Sequence, residues 1–294
     1  MTGLVVAVCT SRLDDLEARW EHNIAQVESG EFFVLLDMPE SVESLEVAGR
    51  IRSRGGEVIC HGAMRGLSAA RNSVLDARPK GWVLFIDDDV RLDRKAVDAV
   101  RAAFAAGAEV VGARLVPPDR PKLWPWFFTR GQMHLVGWHS PEGEVKTWGA
   151  CMGIDAAFAH RHGLRFDMRL GRTGQQLESG DDTSFVTAMK AAGARELVLP
   201  HVSVVHEVNP RRLTLRYLVR RAYWQGRSEV RREQPAAGLR KEWRRYCAGR
   251  RINVLALGYV TVVVVGIIRE WFRPTRRSQH DVGRTDESAR GTAA

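Results

Sequence analysis

Short apolar runs alternate along the chain with longer stretches whose apolar residues recur at helical spacing. Leu4 to Cys9 is a valine-rich run of strand length, Asp14 to Val27 reads as a helix, and Phe32 to Leu36 as a second strand. The order then repeats: Ser41 to Arg54 as helix, Glu57 to Cys60 as strand, Leu67 to Ala77 as helix, Trp82 to Ile86 as strand. Strands alternating with helices predict an α/β fold with a mostly parallel sheet sandwiched by helices. Further on come a helix at Arg94 to Ala105, a strand at Glu109 to Ala113, sheet-like and helical pieces at Val145 to Ile154 and Asp181 to Ala192, and strands at Glu196 to Leu199 and Val202 to Val205, the last ending at His206. No internal repeat is present.

In a sheet of this kind ligands bind beyond the carboxyl ends of the strands. Four polar positions lie there: Thr10 to Arg12, Asp37, His61 to Gly66, and Asp87 to Asp89. They define the candidate site.

Charge divides the chain unevenly. The formal net charge is +9, yet Arg211 to Arg277 holds 18 Lys or Arg against 4 Asp or Glu, which leaves the remainder acidic. Such a block attracts anionic lipid or nucleic acid. The neighbouring run Ile252 to Ile268, 17 residues without a charge, tips the reading toward a membrane, as a single span or a surface-lying helix, with a buried helix or valine-rich strand as the competing reading. No nucleic acid is expected as partner. The N-terminal MTGLVVAVCTSR has no basic region ahead of an apolar one and reads as a first strand, not a signal peptide. The four cysteines, Cys9, Cys60, Cys151 and Cys247, lie far apart and suggest neither a zinc site nor a disulfide framework, which fits a reducing cytoplasm.

Asp87, Asp88 and Asp89 end an apolar strand together, where mutual repulsion calls for a cation. Mg²⁺ or Mn²⁺, which take oxygen ligands and bring phosphate, suits them. The competing reading is a capping turn before the next helix, though a cap needs one carboxylate. A second cluster, Glu178 to Asp182, opens the helix from Thr183 and offers a base for a hydroxyl acceptor, with capping again as the alternative. His206, rivalled by His201, ends a strand after that cluster. Arg65, Gly66, Arg71 and Asn72 surround a helix start suited to phosphate or ribose.

The joint order V-V-A-V-C-T-S-R, F-F-V-L-L-D, R-G-L-S-A-A-R-N, F-I-D-D-D, G-D-D-T-S-F and H-E resembles family 2 glycosyltransferases of the GT-A fold, over about residues 4 to 210. The resemblance implies a Rossmann-like GT-A domain over residues 1–210; charge and composition add a basic helical extension over 211–274, with a membrane-associating segment at 252–268, and a polar, disordered tail over 275–294. It implies that Thr10, Arg12 and Asp37 hold the nucleotide base, and that Arg65, Gly66, Arg71 and Asn72 lie against the nucleotide. Asp87 would lie near the ribose, Asp89 and His206 would bind the metal, and Asp88 is grouped with the nucleotide-binding positions without a role of its own. Asp182 is the favoured base, with Asp181 open as the alternative.

The implied activity is inverting transfer of a sugar from a nucleotide sugar, UDP-sugar first, to a hydroxyl acceptor; the basic and apolar C-terminal third places it at the cytoplasmic face of the membrane, from which a lipid-linked or cell-envelope acceptor follows. The acceptor is assigned to Trp148 and Gly149 and to the aromatic segment Trp124 to Trp138. Tyr223-Trp224-Gln225-Gly226-Arg227 does not match Q-x-x-R-W, which disfavours a processive synthase. A nucleotidyltransferase acting on a sugar phosphate, or a noncatalytic nucleic-acid-binding module, are the alternatives.

Overall fold

The computed structural model describes residues 3–118, 125, 127–128, 130–174, 176–232, 236, 239–240 and 254–272. Trp124 and Trp126, the first two residues of the apolar run at 252–268 and the tail at 275–294 lie outside the described residues.

Eight strands form one sheet: β1 (Leu4–Thr10), β2 (Phe32–Leu36), β3 (Glu57–Cys60), β4 (Trp82–Ile86), β5 (Val90–Arg91), β6 (Val110–Val116), β7 (Cys151–Asp155) and β8 (Glu196–His206). Their order across the sheet is β3-β2-β1-β4-β7-β6-β8-β5. β3, β2, β1 and β4 run parallel, as the repeated strand-helix pattern predicts. Beyond β4 the sheet is mixed: β7 is antiparallel to β4 and β6, β8 is parallel to β6, and β5 is antiparallel to β8. Chain order reverses direction across the sheet between β1 and β4, which opens a crevice at their carboxyl ends.

Alternation within the strands supplies two cores, because successive side chains point to opposite faces. Leu4, Val6 and Val8 of β1 with Phe32, Val34 and Leu36 of β2 face α3 (Val42–Ser53) and α5 (Arg94–Ala105). Ala7, Cys9, Phe33, Leu35 and Phe85 face α4 (Leu67–Ala77), α6 (Ala156–Arg161) and α7 (Asp181–Ala191). Both faces being covered explains why these strands read as unbroken apolar runs.

The helix expected at 14–27 is two short ones, α1 (Leu13–Glu17) and α2 (Trp20–Ile24). The strands expected at 196–199 and 202–205 are one, β8, whose pairing with β6 jumps from Leu199 to Ser203. Pro200 has no N–H to donate, so the ladder breaks there and resumes beyond it.

A third core joins α8 (Leu215–Arg231) to α9 (Val254–Trp271). Leu218 and Ala222 meet Tyr259, Val260, Val263 and Ile267, and Phe128, Met133 and Trp138 of the aromatic segment pack in with them. Of the aromatic segment, which reads either as acceptor contact or as core packing, Phe128 and Trp138 are core residues. Gly226 and Gly266 let the helix backbones touch: a Cβ on Gly226 would strike the Val263 carbonyl, and one on Gly266 the Tyr223 carbonyl. Among the described residues no helix is long and apolar enough to cross a membrane.

Candidate active site

A cleft of about 390 Å³ opens at the carboxyl ends of β1 and β4. Both capping readings fail here. α5 is capped by Asp93, whose Oδ1 accepts from the Ala96 N–H at 2.7 Å, so the acidic triplet is not consumed as a cap. α7 has Gly180 at its N-cap with φ at +91° and no side-chain cap, so neither Asp181 nor Asp182 is the N-cap residue.

The three aspartates diverge. Asp87 is the most open, with Oδ1 at 3.5 Å from Arg71 Nη2. Asp88 turns back into β1: it accepts from the Thr10 hydroxyl and from Arg12 Nη2, each at 2.5 Å. Burial pushes its carboxyl up to about 6, helped by the charge on Asp89 and opposed by Arg12. Asp89 is buried, with Oδ1 2.9 Å from His206 Nε2 and Oδ2 3.2 Å from Arg212 Nη1 without hydrogen-bond alignment. Burial raises its pKa, and His206 and Arg212 more than reverse that, holding it well below the carboxylate range.

Asp89 and His206 meet because β5, only two residues long, pairs Val90 with His206, and the Glu207 N–H donates to the Asp89 carbonyl at 2.7 Å. Nothing in the local pattern predicts so short a strand. His201, the rival, is exposed on the far part of β8. The ring of His206 is fixed from behind: Nδ1 lies 3.1 Å from the Gly137 carbonyl and so must carry a proton, leaving Nε2 aimed at Asp89. Gly137, at φ +87°, is close enough that any Cβ would strike this ring.

Of the positions expected at the nucleotide, Thr10, Arg12, Asp37, Arg71, Asp87 and Asp88 line the cleft; Arg65, Gly66 and Asn72 do not. The Asp37 carboxylate is occupied by the backbone N–H groups of Arg65 and Gly66, at 2.9 and 2.8 Å, and by His61 Nδ1 at 2.8 Å. It pins the loop that starts α4. Gly66 makes that turn at φ +98°, packed so tightly that a Cβ would meet the Thr173 hydroxyl. Asn72 spends its amide on the Phe166 backbone, donating at 3.0 Å and accepting at 2.8 Å.

Arg71 links the two acidic clusters. It is buried over the Phe85 and Phe166 rings, donates to Asp181 Oδ2 at 2.7 Å and to the Gly149 carbonyl at 3.1 Å, and stands beside Asp87. Asp181 is therefore locked in an ion pair; burial and its neighbour Asp182 push its pKa up while Arg71 pulls it down. Asp182 is only partly buried, faces the cleft, and accepts from the Gly149 N–H at 2.8 Å and the Thr183 N–H at 2.6 Å. Oδ1 also accepts from the Thr183 hydroxyl at 3.3 Å, so Oδ2 is the oxygen that keeps a lone pair for a substrate proton. Gly149 must be glycine, since a Cβ would collide with the Arg71 guanidinium. Trp148 borders the cleft with one ring face stacked on His139 at 4.0 Å. Cys9 also borders it, but burial pushes its thiol up to about 12, so it is no nucleophile.

Sequence reasoning missed one wall of the cleft. Arg172, Arg212, Tyr217, Arg221 and Gln225 line it, most of them from the stretch read only as a basic extension. Tyr217, Arg221 and Gln225 are spaced by four and share a face of α8. Asn209-Pro210-Arg211-Arg212, a 3-10 turn directly after His206, was the available signal.

No protein-family model matches the chain. It is 29% identical over 203 residues to the succinoglycan biosynthesis protein ExoM of Rhizobium meliloti, covering 66% of this chain and 62% of that protein. Among solved structures it is similar to the mannosyltransferase PcManGT from Pyrobaculum calidifontis, in complex with GDP-Man and Mn²⁺, with a TM-score of 0.58 and 17% identity over 90% of this chain and 75% of that one. It is also similar to S. aureus TarS 1-349 in complex with UDP, with a TM-score of 0.51 and 16% identity over 86% of this chain and 74% of that one. The chain has the GT-A fold. In this GT-A sheet the acidic triplet ends β4, beside β1 at the crevice.

Asp87, Asp89 and His206 each offer a ligand atom within 4.8 Å of the others. A divalent cation fits this donor set: two carboxylates and an imidazole with its far nitrogen held by a carbonyl. Asp89 Oδ2, buried without a hydrogen-bond partner, is the atom that such an ion would satisfy.

Proposed function

We propose that the protein is a metal-dependent, inverting glycosyltransferase of family 2 type that moves a sugar from a nucleotide sugar, UDP-sugar first, to a hydroxyl acceptor. The observation that carries this is the grouping of Asp87, Asp89 and His206, of which Asp87 and His206 line one cleft with Asp182, on a GT-A sheet. Solved neighbours described with GDP-Man and Mn²⁺ or with UDP support the donor class.

Asp87, Asp89 and His206 would hold Mg²⁺ or Mn²⁺, which when bound supplies positive charge for a diphosphate leaving group. Asp182 takes the acceptor proton as the acceptor oxygen bonds the anomeric carbon and the bond to the diphosphate oxygen breaks, with inversion. Arg71 holds Asp181 away from that role and, through the Gly149 carbonyl, keeps the Gly149 N–H on Asp182. Trp148 beside Gly149 gives the acceptor side of the cleft an aromatic edge.

A lipid-linked or cell-envelope saccharide at the cytoplasmic face of the membrane is the acceptor class that fits best. Exposed Val265, Ile268, Trp271 and Phe272 on and just after α9, and exposed Leu215 and Val219 on α8, support it. So does the similarity to a succinoglycan biosynthesis protein.

The test is a screen of UDP-, GDP- and dTDP-sugars with Mn²⁺, with Mg²⁺ and in chelator. Release of nucleoside diphosphate that stops in chelator is the expected result. Pyrophosphate release from a nucleoside triphosphate would instead make the protein a nucleotidyltransferase, and equal sugar transfer in chelator would remove the metal from the reading.

A further inference from the structure

The cleft wall that carries Arg172, Arg212 and Arg221 holds more positive charge than its neighbours cancel. Around the site, Asp88 is paired with Arg12, Asp181 with Arg71, and Asp89 with His206 and Arg212. Among the described residues, neither Arg172 nor Arg221 has a carboxylate at ion-pair distance. Arg221 is 8% exposed, borders the cleft, and has Nε and Nη1 buried with no hydrogen-bond partner; the Tyr217 hydroxyl is likewise buried and unpartnered. A guanidinium taken out of water without a partner destabilises the fold, so such donors are kept where a ligand satisfies them.

The donors come from three segments that the fold aims at one place. Arg172 sits in the loop that closes over the start of α4, where its carbonyl accepts from the Leu67 N–H at 2.9 Å. Arg212 comes from the turn after β8 and also touches Asp89. Tyr217 and Arg221 are one turn apart on α8, and that helix is braced from behind by α9 through Gly226 and Gly266. The groups feel one another: burial raises the Tyr217 pKa, but Arg172, Arg212 and Arg221 outweigh it and hold the hydroxyl below its usual value. Three guanidiniums and a hydroxyl offer more donors than the two oxygens of a carboxylate can use, and they suit a tetrahedral oxyanion.

We propose that Arg172, Arg212, Arg221 and the Tyr217 hydroxyl form a phosphate-binding wall. Resting on the glycosyltransferase reading above, its ligand is either the diphosphate of the donor or a phosphate carried by the acceptor. This wall would add its donors to the charge that a divalent cation at Asp87, Asp89 and His206 supplies.

The experiment is calorimetric titration of the full chain with inorganic pyrophosphate, UDP, GDP and farnesyl phosphate, in chelator and in Mn²⁺, comparing wild type with Arg172→Gln, Arg221→Gln and Tyr217→Phe. Pyrophosphate affinity in chelator is expected to fall about tenfold in each arginine variant and less in Tyr217→Phe. If the ligand is the donor diphosphate, UDP or GDP weakens in parallel while uridine and guanosine do not change. If it is an acceptor phosphate, farnesyl phosphate weakens and the nucleotides do not. Wild type that ignores pyrophosphate in chelator overturns the proposal, as do variants of unchanged melting temperature that bind it as wild type does. Should the arginine variants not fold, Tyr217→Phe, which removes one oxygen, decides. Failure to turn over any nucleotide sugar would sink the enzymatic reading and leave the pyrophosphate result standing.

Discussion

Three consecutive aspartates take three settings because each is met by a different neighbour. Asp89 is turned toward His206 by the β5–β8 pairing, Asp88 holds Thr10 and Arg12, and Asp87 remains open to the cleft. Asp89→Asn should therefore abolish Mn²⁺ binding measured by calorimetry, whereas Asp88→Asn should retain it. Asp182 and Asp181 separate in the same way. Asp182→Asn is expected to lower kcat by a factor of about 10² to 10⁴ with donor binding intact, as for loss of a general base. Asp181→Asn leaves a buried guanidinium without its carboxylate, a loss of about 3–5 kcal/mol, and should show as a large drop in melting temperature. The motifs put Asp87, Asp89, Asp182 and His206 on the candidate list, since strand ends and acidic pairs are visible in one dimension. They misplace Asn72 and leave the place of Asp37 half told. Which hydrogen-bond partner claims a polar side chain is decided by residues far along the chain, Phe166 in one case and Gly66 in the other.

At the scale of elements, α8 and α9 behave as one unit. Their backbones touch at Gly226 and Gly266, and Glu270 of α9 accepts from Arg227 and Arg231 of α8 at 2.6 and 2.8 Å. Gly226→Val should force the helices apart, cost about 1–3 kcal/mol as overpacking does, and weaken whatever α8 binds through Arg221. Glu270 gives a pH signature. Burial acts to raise its pKa, but the hydrogen bonds from Arg231 and Arg227 outweigh that and leave it lowered. A carboxyl lowered in the folded state adds stability above its unfolded pKa and loses it as pH falls through the folded value. Thermal unfolding of Glu270→Gln should thus fall below wild type at neutral pH and converge with it below about pH 4. The apolar run at 252–268 announces a helix but not its partner. Its composition suggests lipid on all sides, while the close glycine contact that buries one face depends on a second glycine 40 positions earlier. The break at Pro200 is the opposite case, a local cause in plain sight within one long strand.

For the whole molecule, the first four strands follow from local pattern, because strand and helix alternate in a parallel repeat, although β4 pairs with β1 and not with β3. The mixed half of the sheet does not, since β5, β6, β7 and β8 pair across long separations. The cleft crosses that divide, with Thr10, Arg12 and Asp37 from the first half and Arg172, Arg212, Tyr217 and Arg221 from beyond it. The same α8 that lends Arg221 to the cleft exposes Leu215 and Val219, and α9 behind it exposes Val265 and Ile268, with Phe272 one turn further and Trp271 beside it. Arg216, Arg220 and Arg269 are exposed among these residues. Apolar side chains interleaved with arginines bind an anionic bilayer surface through burial and charge together. A cell-envelope acceptor presented at a bilayer would then meet the cleft from the α8 side. The full chain should co-sediment with vesicles containing phosphatidylglycerol more than with phosphatidylcholine alone, and lose part of that binding as salt rises. Replacing Trp271 and Phe272 together by serine should weaken vesicle binding by about tenfold, because two aromatic anchors leave the interface. Nucleoside diphosphate release from a soluble nucleotide sugar should be unaffected in that variant. Equal sedimentation with neutral and anionic vesicles, or none with either, would remove the membrane from this picture and leave the cleft chemistry where it is.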